Sequence, residues 1–187
     1  MKSRRVSIMI TLLLTVLLVS TVYADSDSKG WFFSRSSTAG VAPVTNDVYK
    51  EECGACHFPF QPGLLPARSW EKLLSVKSLE NHFGENAELD DATRIKILNY
   101  AKENAADKSS FKRSKKMNAS IKPGDTPLKI TDVSYFKDKH HEIPKRLIID
   151  NAKVKSLSNC SACHQKASEG VYEEDTVSIP GHGRWED

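Results

Sequence analysis

The sequence predicts a mainly α-helical fold built from two small halves, and three observations carry that reading. Apolar residues recur at helical spacing behind good helix caps. No segment alternates strongly as a half-buried strand would. One five-residue cysteine motif occurs once in each half of the chain. A length of 187 residues leaves room for one domain or two small ones.

The first residues read as a targeting segment. Lys2, Arg4 and Arg5 precede an apolar run from Val6 to Val19, and Thr21-Val22-Tyr23-Ala24 offers small or modest residues for cleavage. Residues 1–24 are therefore expected to be a signal peptide, cut after Ala24, that sends the protein to the periplasm. An uncleaved anchor is the alternative, although the run sits at the lower edge of a bilayer span. The chain has 27 Lys+Arg and 24 Asp+Glu, and three of the basic residues lie in that segment. The remainder is balanced at 24 of each, so the net charge of +3 gives no ground for nucleic-acid binding. Residues 25–44 are rich in Ser, Gly and Ala around Trp31-Phe32-Phe33 and read as a flexible N-terminal arm.

The first half is expected over residues 45–106. Thr45 or Asn46 can cap a helix running through Val48 and Tyr49 into the first cysteine motif. Pro59, Pro62, Gly63 and Pro66 enforce a loop around Leu64-Leu65. Ser69 suits the N-cap of a helix carrying Trp70, Leu73, Leu74, Val76 and Leu79, ending near His82-Phe83 with Gly84 as its stop. Asp90 can cap another, with Ile95, Leu98, Ala101 and Ala105 at helical spacing.

Residues 107–125 read as a basic linker, with Lys108, Lys112, Arg113, Lys115, Lys116 and Lys122 and few apolar residues. A solvated loop is the plainer reading, and a docking patch for an acidic redox partner is the functional one. The second half is expected over residues 126–187. A helix around Asp132 to His141 breaks at Pro144, Leu147-Ile148-Ile149 follows, and Gly170 closes the helix of the second motif. Residues 171–187 read as an irregular tail.

All four cysteines fall in two copies of one pattern, Cys53-Gly54-Ala55-Cys56-His57 and Cys160-Ser161-Ala162-Cys163-His164. This is the haem c attachment motif. On a helical turn, residues three and four apart share a face. Two thiols can then form thioethers with the two porphyrin vinyl groups while the adjacent His reaches the iron. A zinc site would use more closely spaced pairs, and 103 residues separate Cys56 from Cys160. A thioredoxin-like motif needs neither histidine and would sit in a βαβ pattern that is absent. Disulfides are permitted in an exported protein but leave the repeated His unexplained.

Each iron needs or lacks a second axial ligand on the opposite face. Met1 and Met9 leave with the signal, so Met117 is the one methionine left and two His/Met haems are impossible. The other histidines are His82, His140, His141 and His182, which favours two histidines at each iron. His82 lies between an apolar helix and Phe83. His140 and His141 are adjacent, so one of them can face a given iron. His140 is preferred because Phe136 shares its helical face. His182, between Gly181 and Gly183, is the weakest candidate.

These residues resemble the bacterial dihaem cytochrome c family of soluble exported electron carriers. The likeness runs from about Asn46 to the C-terminus. It rests on Glu52 with the first motif, Leu64-Leu65-Pro66, Ser69-Trp70, His82-Phe83-Gly84, Asn104-Ala105-Ala106, Tyr135-Phe136 with His140, Asn159 with the second motif, and Ile179-Pro180-Gly181. The resemblance implies two small c-type haem-binding halves, the first similar to class I cytochromes c. It also implies axial ligands at His57, His82, His140 and His164, and two covalently bound haem c groups. The implied partner is another cytochrome, either a small exported haem protein or a membrane b-type cytochrome. The sequence departs from the family pattern at Tyr135, where a Trp is expected, and at His141, where an Arg is expected. The expected role is single-electron transfer without a catalytic site. A dihaem peroxidase-like enzyme and a haem-based ligand-binding or sensing protein are the alternatives.

Overall fold

A computed structural model describes residues 40–185. The signal peptide expected at 1–24 and most of the arm, to residue 39, lie outside the described residues.

Helix α1 (Asp47–Gly54) starts where the Asn46 side chain accepts the Tyr49 amide at 2.9 Å. That satisfies one of the free N–H groups of the first turn. Tyr49 is buried, and its hydroxyl donates to the Phe60 carbonyl at 2.7 Å. A 3₁₀ turn follows at Pro62–Leu64. A Cβ on Gly63 would lie 2.6 Å from Ser114 Oγ and 2.8 Å from Val41 Cγ1, so the two segments meet there only without a side chain.

The single helix expected from Ser69 is two helices. Helix α2 (Ala67–Leu73) starts earlier, at Pro66, whose carbonyl accepts the Ser69 and Trp70 amides. Ser69 is fully buried inside it. At Ser75 the hydroxyl donates to the Lys72 carbonyl and accepts the Ser78 amide, which closes one helix and caps the next, α3 (Val76–Glu80). Helix α4 (Asp91–Glu103) is capped by Asp90, which accepts the Thr93 amide at 3.0 Å. Its core stripe is Ile97 and Ala101, continued by Ala105, all wholly buried. Ile95, expected on that stripe, is 48% exposed. Two residues from Ile97 it lies on the far side of the helix, because the stripe repeats every four. Helix α4 packs chiefly on α2.

The largest departure is the basic segment. Residues expected as a solvated loop form α5 (Lys112–Ala119), with Ser114 and Met117 buried. The segment is one-sided: lysines face water while two small or apolar side chains enter the core. Val41, expected in the arm, is also buried, and its amide donates to the Gly170 carbonyl.

Helix α6 (Ser134–His140) follows a 3₁₀ turn at Ile130–Asp132. Pro144 begins α7 (Lys145–Ile148), where proline's missing N–H costs nothing. Helix α8 (Cys160–Cys163) is the second cysteine motif. The expected irregular tail contains a short antiparallel hairpin, β1 (Ser178–Ile179) with β2 (Gly183–Arg184), paired Ser178 to Arg184 and Ile179 to Gly183. Ile179 is buried, which holds the hairpin down.

One apolar cluster runs from Val41 through Tyr49, Trp70, Ile97 and Met117 to Phe136 and Tyr172. Residues expected in separate halves thus share a core. A smaller cluster gathers Ile148, Val154 and Ile179. Among the described residues no helix is long and apolar enough to cross a membrane.

Candidate functional site

Cys53 lies in the last turn of α1 and Cys56 just beyond it, while Cys160 and Cys163 open and close α8. No disulfide links any two of them. Burial, then the charge of Glu52, pushes the Cys53 thiol up to about 12, and burial pushes Cys160 up to about 11. Burial raises Cys163 as well. Among the described residues no three or more His, Cys, Asp or Glu side chains converge on a metal position.

The histidines meet in two pairs. His57 follows α1, and its Nδ1–H donates to the Phe58 carbonyl at 2.8 Å. Its ring faces His82 with centroids 6.3 Å apart and planes at 17°. His82 sits on a two-residue turn closed by reciprocal bonds with Glu85, at 2.7 and 3.3 Å. The turn needs positive φ at Phe83 (57°) and Gly84 (108°). A bulky residue there stores on the order of 1–3 kcal/mol of strain, which the surrounding structure must offset. The Phe83 ring packs edge-on against His82 at 4.8 Å.

The second pair is built differently. His140 ends α6; its Nδ1–H donates to the Phe136 carbonyl at 2.8 Å, and its ring stacks on Phe136 at 4.0 Å. His140 and His164 have centroids 6.1 Å apart with planes crossed at 70°. Tyr172 packs edge-on against His164 at 5.1 Å. A cavity of about 320 Å³ lies around this pair, with Phe136, Ile143, Ile148, Val154 and Leu157 among its walls. His141 points away: it is exposed, its Nδ1–H donates to the Asp138 carbonyl, and it faces Glu142 at 3.8 Å. His182 packs against Trp185 instead.

Both sites fit an iron porphyrin. A metal–imidazole bond of about 2.0–2.1 Å on each side, plus about 1.2 Å from each nitrogen to its ring centre, places two axial imidazoles roughly 6.4 Å apart. The observed 6.3 and 6.1 Å leave room for one flat ring with an iron at its centre. His82 Nδ1 and His164 Nδ1 are buried without a hydrogen-bond partner among the described residues. Burial, then the facing His57, lowers the pKa of His82. Burial, then His140 and Arg113, lowers that of His164 to about 4. Neutral imidazole is the form that binds a metal.

Several residues of the second site carry no local sequence signal. Tyr172 donates to Gln61 Oε1 at 2.6 Å across 111 residues, and Gln61 is completely buried. Arg113, Lys116 and Met117 of α5 line the cavity, as does Lys139. Phe60, 5.1 Å from His57, could have been found from its place just after the first motif.

The sequence matches the dihaem cytochrome c family over residues 49–172. Among curated proteins none matches. Among solved structures the chain is similar to a dihaem cytochrome c from Shewanella baltica OS155, with 41% identity over 75% of this chain and 98% of that one, at a TM-score of 0.62. It is equally similar to the dihaem cytochrome c of Rhodobacter sphaeroides, with 42% identity over 72% of this chain and all of the other, at a TM-score of 0.62.

Proposed function

We propose, from the premise that the chain belongs to the dihaem cytochrome c family, that it passes single electrons between redox partners in the periplasm through two haems, each held by two histidines. The chain carries two covalently bound c-type haems, on Cys53 with Cys56 and on Cys160 with Cys163, and is a haem c electron carrier. The observation that carries the ligand assignment is the imidazole spacing, 6.3 Å for His57 with His82 and 6.1 Å for His140 with His164.

Haem iron supplies a one-electron couple whose potential follows its axial ligands, hydrogen bonding and burial. The chain's own residues do the rest. The cysteines anchor each ring by thioethers. The Phe58 and Phe136 carbonyls fix the imidazoles of His57 and His140 by taking their Nδ1–H, which also makes the other nitrogen a better donor. The apolar walls of the second cavity exclude water. Two histidines at each iron leave no open position for a substrate, which favours electron transfer over peroxidase-like catalysis or ligand sensing.

The signal peptide read at residues 1–24 supports export. Another cytochrome, either a small exported haem protein or a membrane b-type cytochrome, is the class of partner this reading implies. Membrane association would come through that partner alone. The balanced charge beyond residue 24 gives no ground for a nucleic-acid partner.

Carbon monoxide tests the reading. The reduced protein should show two low-spin haems whose spectrum carbon monoxide leaves unchanged. Binding to either haem of the native protein would replace this reading with a ligand-binding or enzymatic one.

A further inference from the structure

The second cavity has a cation built into its wall. Arg113, on α5, is held from several sides. Its backbone amide donates to the Gly40 carbonyl at 3.2 Å. Its Nη2 donates to the Tyr172 carbonyl at 3.1 Å, and its Nη1 lies 3.5 Å from the Tyr135 hydroxyl. The guanidinium also sits over the Tyr172 ring at 5.9 Å. Tyr172 is the residue packed against His164. The Arg113 side chain is only 22% exposed, and its Nε is buried without a partner among the described residues.

The other charges along that wall only partly offset it. Glu173 lies 3.9 Å from Arg113. Glu173 and Glu174 line the cavity on the acidic side, and Lys116 and Lys139 join Arg113 on the basic side. Lys116, Lys139 and Glu174 are exposed, so water screens them, which leaves Arg113 and the more exposed Glu173, at 22% and 36%, as the least screened charges of that wall. The first pair has a different setting. Glu52 adjoins Cys53 and is exposed. Lys129 lies over the outer Phe83 ring at 5.2 Å and is exposed, so water screens it.

Reduction adds one negative charge at an iron. A fixed, partly desolvated cation favours the reduced form at the site it faces, and an exposed one does little. We propose that Arg113 makes the His140/His164 haem the higher-potential one of the two. One electron given to the protein then resides at the second site: the first iron goes from Fe(II) to Fe(III) as the second goes from Fe(III) to Fe(II). Arg113 acts through the field at the second site, as a positioning residue for charge. This inference rests on the two-histidine reading and assigns the direction of flow inside the molecule.

A redox titration followed by electron paramagnetic resonance tests it. Ligand planes at 17° and at 70° give different anisotropies to low-spin ferric iron, so the two haems are separately visible. The signal of the crossed pair should vanish first on reduction. Arg113→Gln should lower the second potential by about tenfold in its equilibrium constant, about 59 mV for one electron, and leave the first in place. Arg113→Lys should retain most of the wild-type order, and Glu173→Gln should move the second potential upward. The inference is overturned if the parallel pair's signal vanishes first, or if Arg113→Gln moves neither potential or both equally. The wild-type order decides the matter even where the Gln variant does not fold. Low-spin signals at both haems in the wrong order would sink this inference alone, whereas a high-spin signal in the native protein would sink the two-histidine reading beneath it.

Discussion

His57 and His82 lie nearly parallel at 17°, whereas His140 and His164 cross at 70°. The two pairs have the same residue types and nearly the same spacing of centroids, yet they are built from different parts of the chain. His82 is placed by a short turn of its own, with Phe83 beside it. His164 is packed by Tyr172, which is bonded to Gln61 far away in sequence and held by Arg113 of α5. The first site is a local construction and the second a tertiary one. The chain repeats the attachment chemistry and does not repeat the surroundings.

That contrast can be broken most easily by removing one haem at a time. Cys160→Ala with Cys163→Ala should cost the protein one haem by mass. It should also lower stability more than Cys53→Ala with Cys56→Ala, because both apolar clusters wall the second cavity, Phe136 and Tyr172 from the larger and Ile148, Val154 and Ile179 from the smaller. The difference should be on the order of 5 kcal/mol, given the cost of unfilled apolar volume. Equal losses in denaturant titrations of the two variants would show both sites to be equally embedded.

Removing one proposed opposite-face ligand is the next largest change. His82→Ala and His140→Ala should each leave one haem low-spin and turn the other high-spin and open to carbon monoxide. His141→Ala should leave both spectra as they are, since its ring faces Glu142. A spectral change in the His141 variant matching that of His140 would reopen the choice between them.

A smaller effect is expected at the link between the two regions. Tyr172→Phe strands Gln61 Oε1 in the core and should cost about 1–3 kcal/mol in unfolding free energy. Its spectral consequence should fall on the second haem alone. The smallest effect concerns the outer face of α5. Lys112→Gln with Lys115→Gln should change stability by less than about 0.5 kcal/mol. It should nevertheless slow electron exchange with an acidic partner at low salt, where charge reaches furthest. An unchanged rate and salt dependence would exclude this face as a docking site.

What could be seen in the sequence was what is local. The second attachment motif is a helical turn and the first begins on the last turn of α1, and the caps at Asn46 and Asp90 are hydrogen bonds over three residues. The Phe136–His140 pairing follows from one helical turn. What could not be seen depends on distant partners. Ser114 and Met117 look like members of a solvated basic run until the Pro62–Leu64 turn and the second cavity are in place around them. Gln61, a polar residue in a proline-rich loop, gives no sign of complete burial without Tyr172. Ser75 splits a helix that apolar spacing alone continues, because its hydroxyl serves both ends of the break.

Met117 gives the central claim its sharpest test, since it lines the second cavity and is the one methionine beyond residues 1–24. Near-infrared magnetic circular dichroism of the oxidised protein distinguishes a nitrogen–nitrogen axial pair from a nitrogen–sulfur pair. The account predicts two low-spin haems, both in the two-imidazole class, and no thioether charge-transfer band. A thioether band, or a high-spin iron at either site of the native protein, would contradict it.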